Sequence, residues 1–276
     1  MIKTIFISIT FLFCIQIYSQ NNVSHKTDFN ISYYPDSMKA DDYIRSRCKL
    51  DIYYPENSQG FATLIWFHGG GLKEGEKYCP EDLLPFNLCV VSVDYRLSPE
   101  SKAPSYIQDA AAAVAWVFNN IKDYRGNPEK IFISGHSAGG YLTSMIGLDK
   151  QWLEYFGIDA NRIAGLIPLS GQMVTHTTIR EEMGLVENKI IVDEYAPMNH
   201  VRKDAPPLLL ITGDRNLDIP GRYEENLYLK RLMEIVGHKE TRLLEMQGYG
   251  HMMINPALPL LIKEIGRICN EMDSIE

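Results

Sequence analysis

The chain has 276 residues, 45% of them hydrophobic and 22% charged, which are ordinary proportions for a globular protein. The formal charge is −8 and no block of lysines and arginines offsets it, which argues against nucleic acid or an anionic membrane surface as a partner. A chain of this length can bury a large core without disulfide or metal staples.

Lys3 precedes an apolar run, Ile5–Ile17, broken only by Ser8, Thr10 and Gln16. The run ends at Tyr18-Ser19-Gln20 and the sequence turns polar at Asn21-Asn22. A basic start, a short apolar centre and a small residue before the polar shift predict a secretory signal peptide over residues 1–20. The run is short for a membrane span, which takes roughly 20 apolar residues. The expected product is periplasmic or secreted, with no stable membrane anchor after cleavage. It consists of residues 21–276 as one domain. It keeps Cys48, Cys79, Cys89 and Cys269. Four cysteines allow three full pairings, and unpaired buried thiols fit a core of this size equally well. Without a C-x-x-C pair, no structural zinc site is expected.

Asp28–Tyr34 and Arg47–Tyr54 read as strands, rich in aromatic and β-branched residues and stopped by Pro35 and Pro55. Ala62–Phe67, Leu88–Val93 and Lys130–Ser134 are continuous apolar runs, as expected of parallel strands covered on both faces. Between the last two, Pro104–Ile121 carries Ile107, Ala111, Val114, Ala115 and Phe118 on one helical stripe, with Gly126-Asn127-Pro128 punctuating its exit. Gly139–Leu148 reads as the next helix. Ile163–Leu169 and Pro207–Thr212 are two more apolar strands. The stretch between them, residues 172–200, is too long for an ordinary connection and reads as a small cap over a site. Arg222–Val236 is a helix stopped by Gly237, Thr241–Met246 the last strand and Leu258–Cys269 the last helix. Alternating strands and helices with apolar strands predict an α/β fold with a mostly parallel sheet.

The chemistry concentrates at three strand ends. Gly135-His136-Ser137-Ala138-Gly139 is a G-x-S-x-G pentapeptide directly after Lys130–Ser134. A serine on such a turn has a strained backbone that lifts its Oγ clear of the sheet, and the flanking glycines keep side chains out of the way. His68-Gly69-Gly70-Gly71 closes an earlier strand, and Gly248-Tyr249-Gly250-His251 follows the last one. Ser137 fits a nucleophile and His251 a base able to take its proton. The glycine-rich loop is not a phosphate cradle, since neither G-x-x-x-x-G-K-[ST] nor a dinucleotide G-x-G-x-x-G follows the first strand.

These residues, with Leu50-Asp51-Ile52-Tyr53-Tyr54-Pro55 and Val93-Asp94-Tyr95-Arg96-Leu97-Ser98-Pro99-Glu100, resemble the α/β-hydrolase carboxylesterases. The nearest likeness is to the hormone-sensitive-lipase-like and bacterial feruloyl-esterase-like hydrolases, over most of the chain after about Lys49. The resemblance implies an α/β-hydrolase fold and ester hydrolysis through an acyl-enzyme, with no cofactor. It implies an oxyanion hole from the amides of Gly70, Gly71 and Ala138. The implied substrate is a small ester, short-chain or linked to an acetylated or feruloylated saccharide.

The triad's acid stays open. Many relatives carry it three residues after the glycine that ends the preceding strand, and Asn216 occupies that place. Asp218, followed by Ile219-Pro220, fits a loop two residues longer; Asp214 is the alternative. Tyr141 and Tyr195 are candidates for the substrate pocket. The rival reading is an α/β-hydrolase-fold binding protein whose catalysis is impaired, which Asn216 favours.

Overall fold

The structure is a computed structural model that describes residues 23–35, 41–186 and 189–274. The expected signal peptide lies outside these residues. Eight strands form one sheet: β1 (His25–Ser32), β2 (Lys49–Pro55), β3 (Phe61–Phe67), β4 (Leu88–Val93), β5 (Gly126–His136), β6 (Gly165–Leu169), β7 (Leu208–Gly213) and β8 (Thr241–Met246). Their order is β1-β2-β4-β3-β5-β6-β7-β8. β1 and β2 run antiparallel at one edge, and every pairing from β4 to β8 is parallel. The helices are α1 (Asp42–Arg47), α2 (Ser105–Asn120), α3 (Ala138–Leu148), α4 (Gln151–Glu154), α5 (Thr177–Glu182), α6 (Arg222–Ile235) and α7 (Ile254–Asp273).

The apolar runs make this sheet because both faces are covered. On β3, Phe61, Ile65 and Phe67 join one core with α2 and α3, while Ala62, Leu64 and Trp66 join another with α7. The same alternation sends Ile131 and Ile133 to the first core and Phe132 to the second. A side-chain period of two on a strand requires this, and only continuous apolar sequence serves it. The first core is the larger and also takes Leu229 and Met233 of α6.

Several boundaries moved. α1 is a helix that the sequence pattern did not suggest: the Asp41 carboxylate caps it by accepting from the Tyr43 amide at 2.7 Å, so β2 begins at Lys49 rather than Arg47. β1 ends at Ser32, after a bulge that puts Asn30 at φ 57°. Tyr33 and Tyr34 instead turn inward and donate to the Asp94 carbonyl and the Asp109 carboxylate, each at 2.8 Å. Gly126-Asn127-Pro128 is the start of β5 rather than a bare turn, with Gly126 paired to Phe61.

The chain leaves β3 for β4 on one side and returns to β5 on the other. Crevices at such a reversal lie at the carboxyl ends of the strands. The loops after β3, β5, β6, β7 and β8 all supply residues there.

Candidate active site

Ser137 is held at φ 56°, ψ −112°, a conformation that costs a non-glycine residue of order 1–3 kcal/mol. Neighbouring structure enforces it. A Cβ on Gly139 would sit 2.0 Å from the Phe67 carbonyl oxygen, so the turn can pack against β3 only without a side chain there. The Ser137 amide donates to the Leu169 carbonyl at 2.9 Å, tying the turn to β6 as well. Ala138 opens α3 immediately afterwards, and the first amides of a helix have no partner within it.

His251 meets this serine from the loop after β8. The Ser137 hydroxyl donates to its Nε2 at 3.0 Å, and its Nδ1 donates to Asp218 Oδ1 at 2.7 Å. Asp218 is buried. Burial alone would raise its carboxyl, but the bonds from His251, Ser170 and the Ile219 amide outweigh it and hold it well below the usual carboxylate range. A carboxylate so held stays charged beside the imidazole at any working pH.

Asp214 does different work at the same loop. It accepts from the Asn216 and Gly248 amides, each at 2.9 Å, which ties the loop after β7 to the loop after β8. Asn216 follows that exposed turn, and its place in the sequence pattern is not the place beside the histidine. The loop reaches His251 two residues later, at Asp218.

Ser170 joins the site unheralded by any motif. It follows β6 at φ 45°, and its hydroxyl donates to Asp218 Oδ2 at 2.7 Å while lying 3.1 Å from His251 Nδ1. The Gly213 amide donates to the same Asp218 oxygen at 2.9 Å. The guanidinium of Arg222, on the first turn of α6, donates to the Ser170 carbonyl. The only sequence signal was a serine-glycine pair closing an apolar strand.

The loop after β3 is built around His68. Its ring stacks on Tyr95 with centroids 4.3 Å apart, its Nδ1 donates to the Gly69 carbonyl at 2.6 Å, and Arg47 reaches its Nε2 at 3.3 Å. Burial, with Arg47 adding to it against the Gly69 bond, lowers its pKa to about 4, so it braces the loop as a neutral ring. Gly70 stands at φ 106°, where a Cβ would lie 2.0 Å from the Glu74 carbonyl oxygen. His136 turns away from Ser137 and donates through Nε2 to the His251 carbonyl at 2.7 Å.

Ser137, His251 and Gly69, Gly70 and Gly71 line one open cleft of about 980 Å³, whose apolar wall includes Tyr78, Ile219 and Met252. Tyr141 and Tyr195 are not among its lining residues. Every residue of α3 is buried, so Tyr141 has no surface to offer; its hydroxyl donates to the Tyr195 carbonyl at 2.8 Å. Residues 172–200 are tethered to the glycine loop, through Thr178 to the Gly71 carbonyl and Lys73 to Glu181. The described residues among them do not line this cleft, and several of them wall a neighbouring one.

Among the described residues no cluster of histidine, cysteine and acidic side chains could hold a metal ion, and no helix is long and apolar enough to cross a membrane. Cys48, Cys79, Cys89 and Cys269 are all free thiols.

Residues 50–163 match the BD-FAE family model. Lipase 2 of Moraxella sp. (strain TA144) is 37% identical over 102 residues, which are 33% of this chain and 24% of that one. Esterase LipC of Mycobacterium tuberculosis is 26% identical over 205 residues, 67% of this chain and 50% of that one. The chain thus spans half or less of the length of the curated relatives it matches. A solved carbohydrate esterase from gut microbiota, in truncated form, superposes with a TM-score of 0.67 at 22% identity, covering 84% of this chain and 91% of that one. This likeness shows an α/β-hydrolase fold.

Proposed function

We propose that this chain, an α/β-hydrolase of the carboxylesterase kind, is a serine esterase that hydrolyses short-chain acyl or carbohydrate-linked acetyl or feruloyl esters. The observation that carries the reading is the continuous path from Ser137 Oγ through His251 to Asp218, at 3.0 and 2.7 Å, opening into a cleft edged by glycine amides. A serine hydroxyl is a poor nucleophile until a base takes its proton. His251 Nε2 accepts that proton as Oγ attacks the acyl carbon. The amides of Gly70, Gly71 and Ala138 stabilise the negative oxygen of the tetrahedral intermediate, in a loop whose backbone is fixed before substrate arrives. The imidazolium, oriented and stabilised by Asp218, then protonates the departing alcohol. An acyl-enzyme remains on Ser137. Water, deprotonated by the same histidine, attacks it and releases the acid.

The carbohydrate preference draws support from the likeness to a carbohydrate esterase of gut microbiota, and export draws support from the N-terminal pattern of Lys3 and the apolar run. The acidic loop gives no support to the impaired binding protein, since Asp218 supplies the carboxylate that Asn216 lacks.

The test is labelling with a fluorophosphonate probe. One adduct should form per chain, mapped to Ser137, and Ser137→Ala should abolish both labelling and hydrolysis of 4-nitrophenyl acetate. Labelling that persists in Ser137→Ala would remove Ser137 as nucleophile.

A further inference from the structure

A second cavity of about 670 Å³ adjoins the catalytic cleft, and Ile219 lines both. Ile190, Ile219 and Pro220 give it apolar faces; Gln172, Arg222 and Glu225 are among its polar walls.

The polar groups are deeply set and incompletely satisfied. Gln172 is only 5% exposed, and its Oε1 accepts from the Thr177 amide at 3.0 Å and the Thr177 hydroxyl at 3.2 Å. Those two bonds fix the amide's orientation. Its NH₂ end makes no hydrogen bond to any described residue. Arg222 is 6% exposed; one nitrogen donates to the Ser170 carbonyl and its Nε has no partner among the described residues. Glu225 holds the opposite sign, its carboxylate fixed by the Met173 amide at 2.9 Å. Arg180 also borders the cavity, but its three nitrogens donate to Thr175, Lys189 and Thr177, so it builds the wall.

This set of groups selects among ligands. An apolar occupant would leave buried donors without partners, at the full desolvation cost of each. An anion would meet Glu225, and a cation would meet Arg222 and Arg180. A neutral polyol satisfies all of them, because a hydroxyl both donates and accepts. The apolar faces then receive the C–H face of a sugar ring. We propose that this cavity is the subsite for the alcohol half of the substrate, a neutral saccharide, with the acyl group lying in the more apolar cleft beyond Ile219. The assignment rests on the ester-hydrolase reading above and adds to it which side of Ser137 the sugar occupies.

The experiment measures binding separately from turnover. Xylotriose, cellotriose and mannotriose, which carry no acyl group, are titrated into the full chain by calorimetry. At least one should bind with a Kd of about 1 mM or tighter, and trigalacturonate should bind more weakly. Gln172→Glu keeps the acceptor for Thr177 and turns the free donor end into an acceptor. It should weaken binding about tenfold, the expected loss when a donor facing the ligand is removed. It should also lower the ratio of kcat/KM on an acetylated trisaccharide to kcat/KM on 4-nitrophenyl acetate by a similar factor. Glu225→Gln is a second variant with the same expected direction. Failure of every neutral trisaccharide to bind, tighter binding of trigalacturonate, or unchanged binding in both folded variants would each overturn the subsite. Saccharide binding without hydrolysis of any ester would remove the ester reading and leave a saccharide site. Hydrolysis of simple esters without saccharide binding would do the reverse.

Discussion

Ser170 donates its hydroxyl to Asp218 Oδ2 at 2.7 Å, so the carboxylate bonded to His251 is itself held from the end of β6, a strand that carries none of the three residues Ser137, His251 and Asp218. Asp218 has two acceptor oxygens, and each is fixed twice. His251 and the Ile219 amide hold Oδ1; Ser170 and the Gly213 amide hold Oδ2.

Removing the Ser170 hydroxyl should therefore loosen the acid without removing its charge. Ser170→Ala is expected to lower kcat on 4-nitrophenyl acetate by about tenfold, the worth of one hydrogen bond to a charged group, with KM little changed. Ser170→Gly loses the same hydroxyl but suits φ 45° better, so it should melt above Ser170→Ala while sharing its kinetic defect. A kcat equal to the unmodified protein in both variants would make the Ser170 contact incidental.

The two aspartates of the loop after β7 should separate cleanly. Asp218→Asn is expected to cost about three to four orders of magnitude in kcat, by analogy with acid removal in other triads, with the fold intact. Asp214 ties two loops together through the Asn216 and Gly248 amides, so Asp214→Asn should register in the melting temperature far more than in kcat. The reverse ranking, from steady-state rates and thermal melts on both variants, would transfer the acid's role to Asp214.

How much of this site the sequence reveals depends on how local each signal is. Ser137 needs glycines at fixed offsets within its own turn, and His251 follows the last strand, so both are legible from short windows. Asp218 is less so, because its place depends on the length of a loop and Asn216 occupies the usual position. The serine-glycine pair at Ser170 is too common a strand ending to single it out: its contact with Asp218 exists only because β6 lies between β5 and β7. Tyr141 misleads for a related reason. Helix α3 is buried all round, so its sequence has no polar face to show which side meets the site. The helix α1 is six residues long and polar, too short for its period to register.

The glycine loop should respond unequally to a single methyl group. At Gly70 a Cβ would strike the Glu74 carbonyl and the φ of 106° is beyond the ordinary reach of alanine; at Gly71 the φ is 63° and the space is open. Gly70→Ala should thus displace the loop and cut kcat by about a hundredfold or more, the scale of a lost oxyanion donor. Gly71→Ala should keep most activity and lose about 1–2 kcal/mol of stability for its left-handed backbone. Equal kinetic effects at the two positions would show that the loop's shape is not what matters.

The thiols offer a compositional check. The four cysteines among the described residues are free, with Cys48 and Cys89 buried. Protein that begins after residue 20, and so lacks Cys14, should when denatured without reductant take up four alkyl groups from iodoacetamide, read by intact mass. Uptake of two would mean that a disulfide forms where the structure has none. The same spectrum reports the N-terminus, where the signal-peptide expectation is a loss of the first 19 or 20 residues.

Stability should fall on mild acidification, through buried histidines rather than through the triad. Burial lowers His136 and His68 to about 4, and lowers His176 to about 3, with His251, Arg47 and Arg222 respectively adding to it. In the unfolded chain each returns to roughly 6.5. Between these values the unfolded state binds more protons than the folded one, so the free energy of unfolding rises with pH across the window. The contribution is complete above about pH 6.5 and is lost progressively as pH falls toward 4 and below. The Tm should therefore decline steadily from pH 7 to pH 4 in a buffer series at constant ionic strength. His176 caps α5 by accepting from the Thr178 amide at 3.2 Å, a role asparagine also fills. His176→Asn should accordingly flatten the decline while preserving the fold at pH 7. A Tm profile with the same slope in both proteins would mean that His176 is not held neutral by its surroundings.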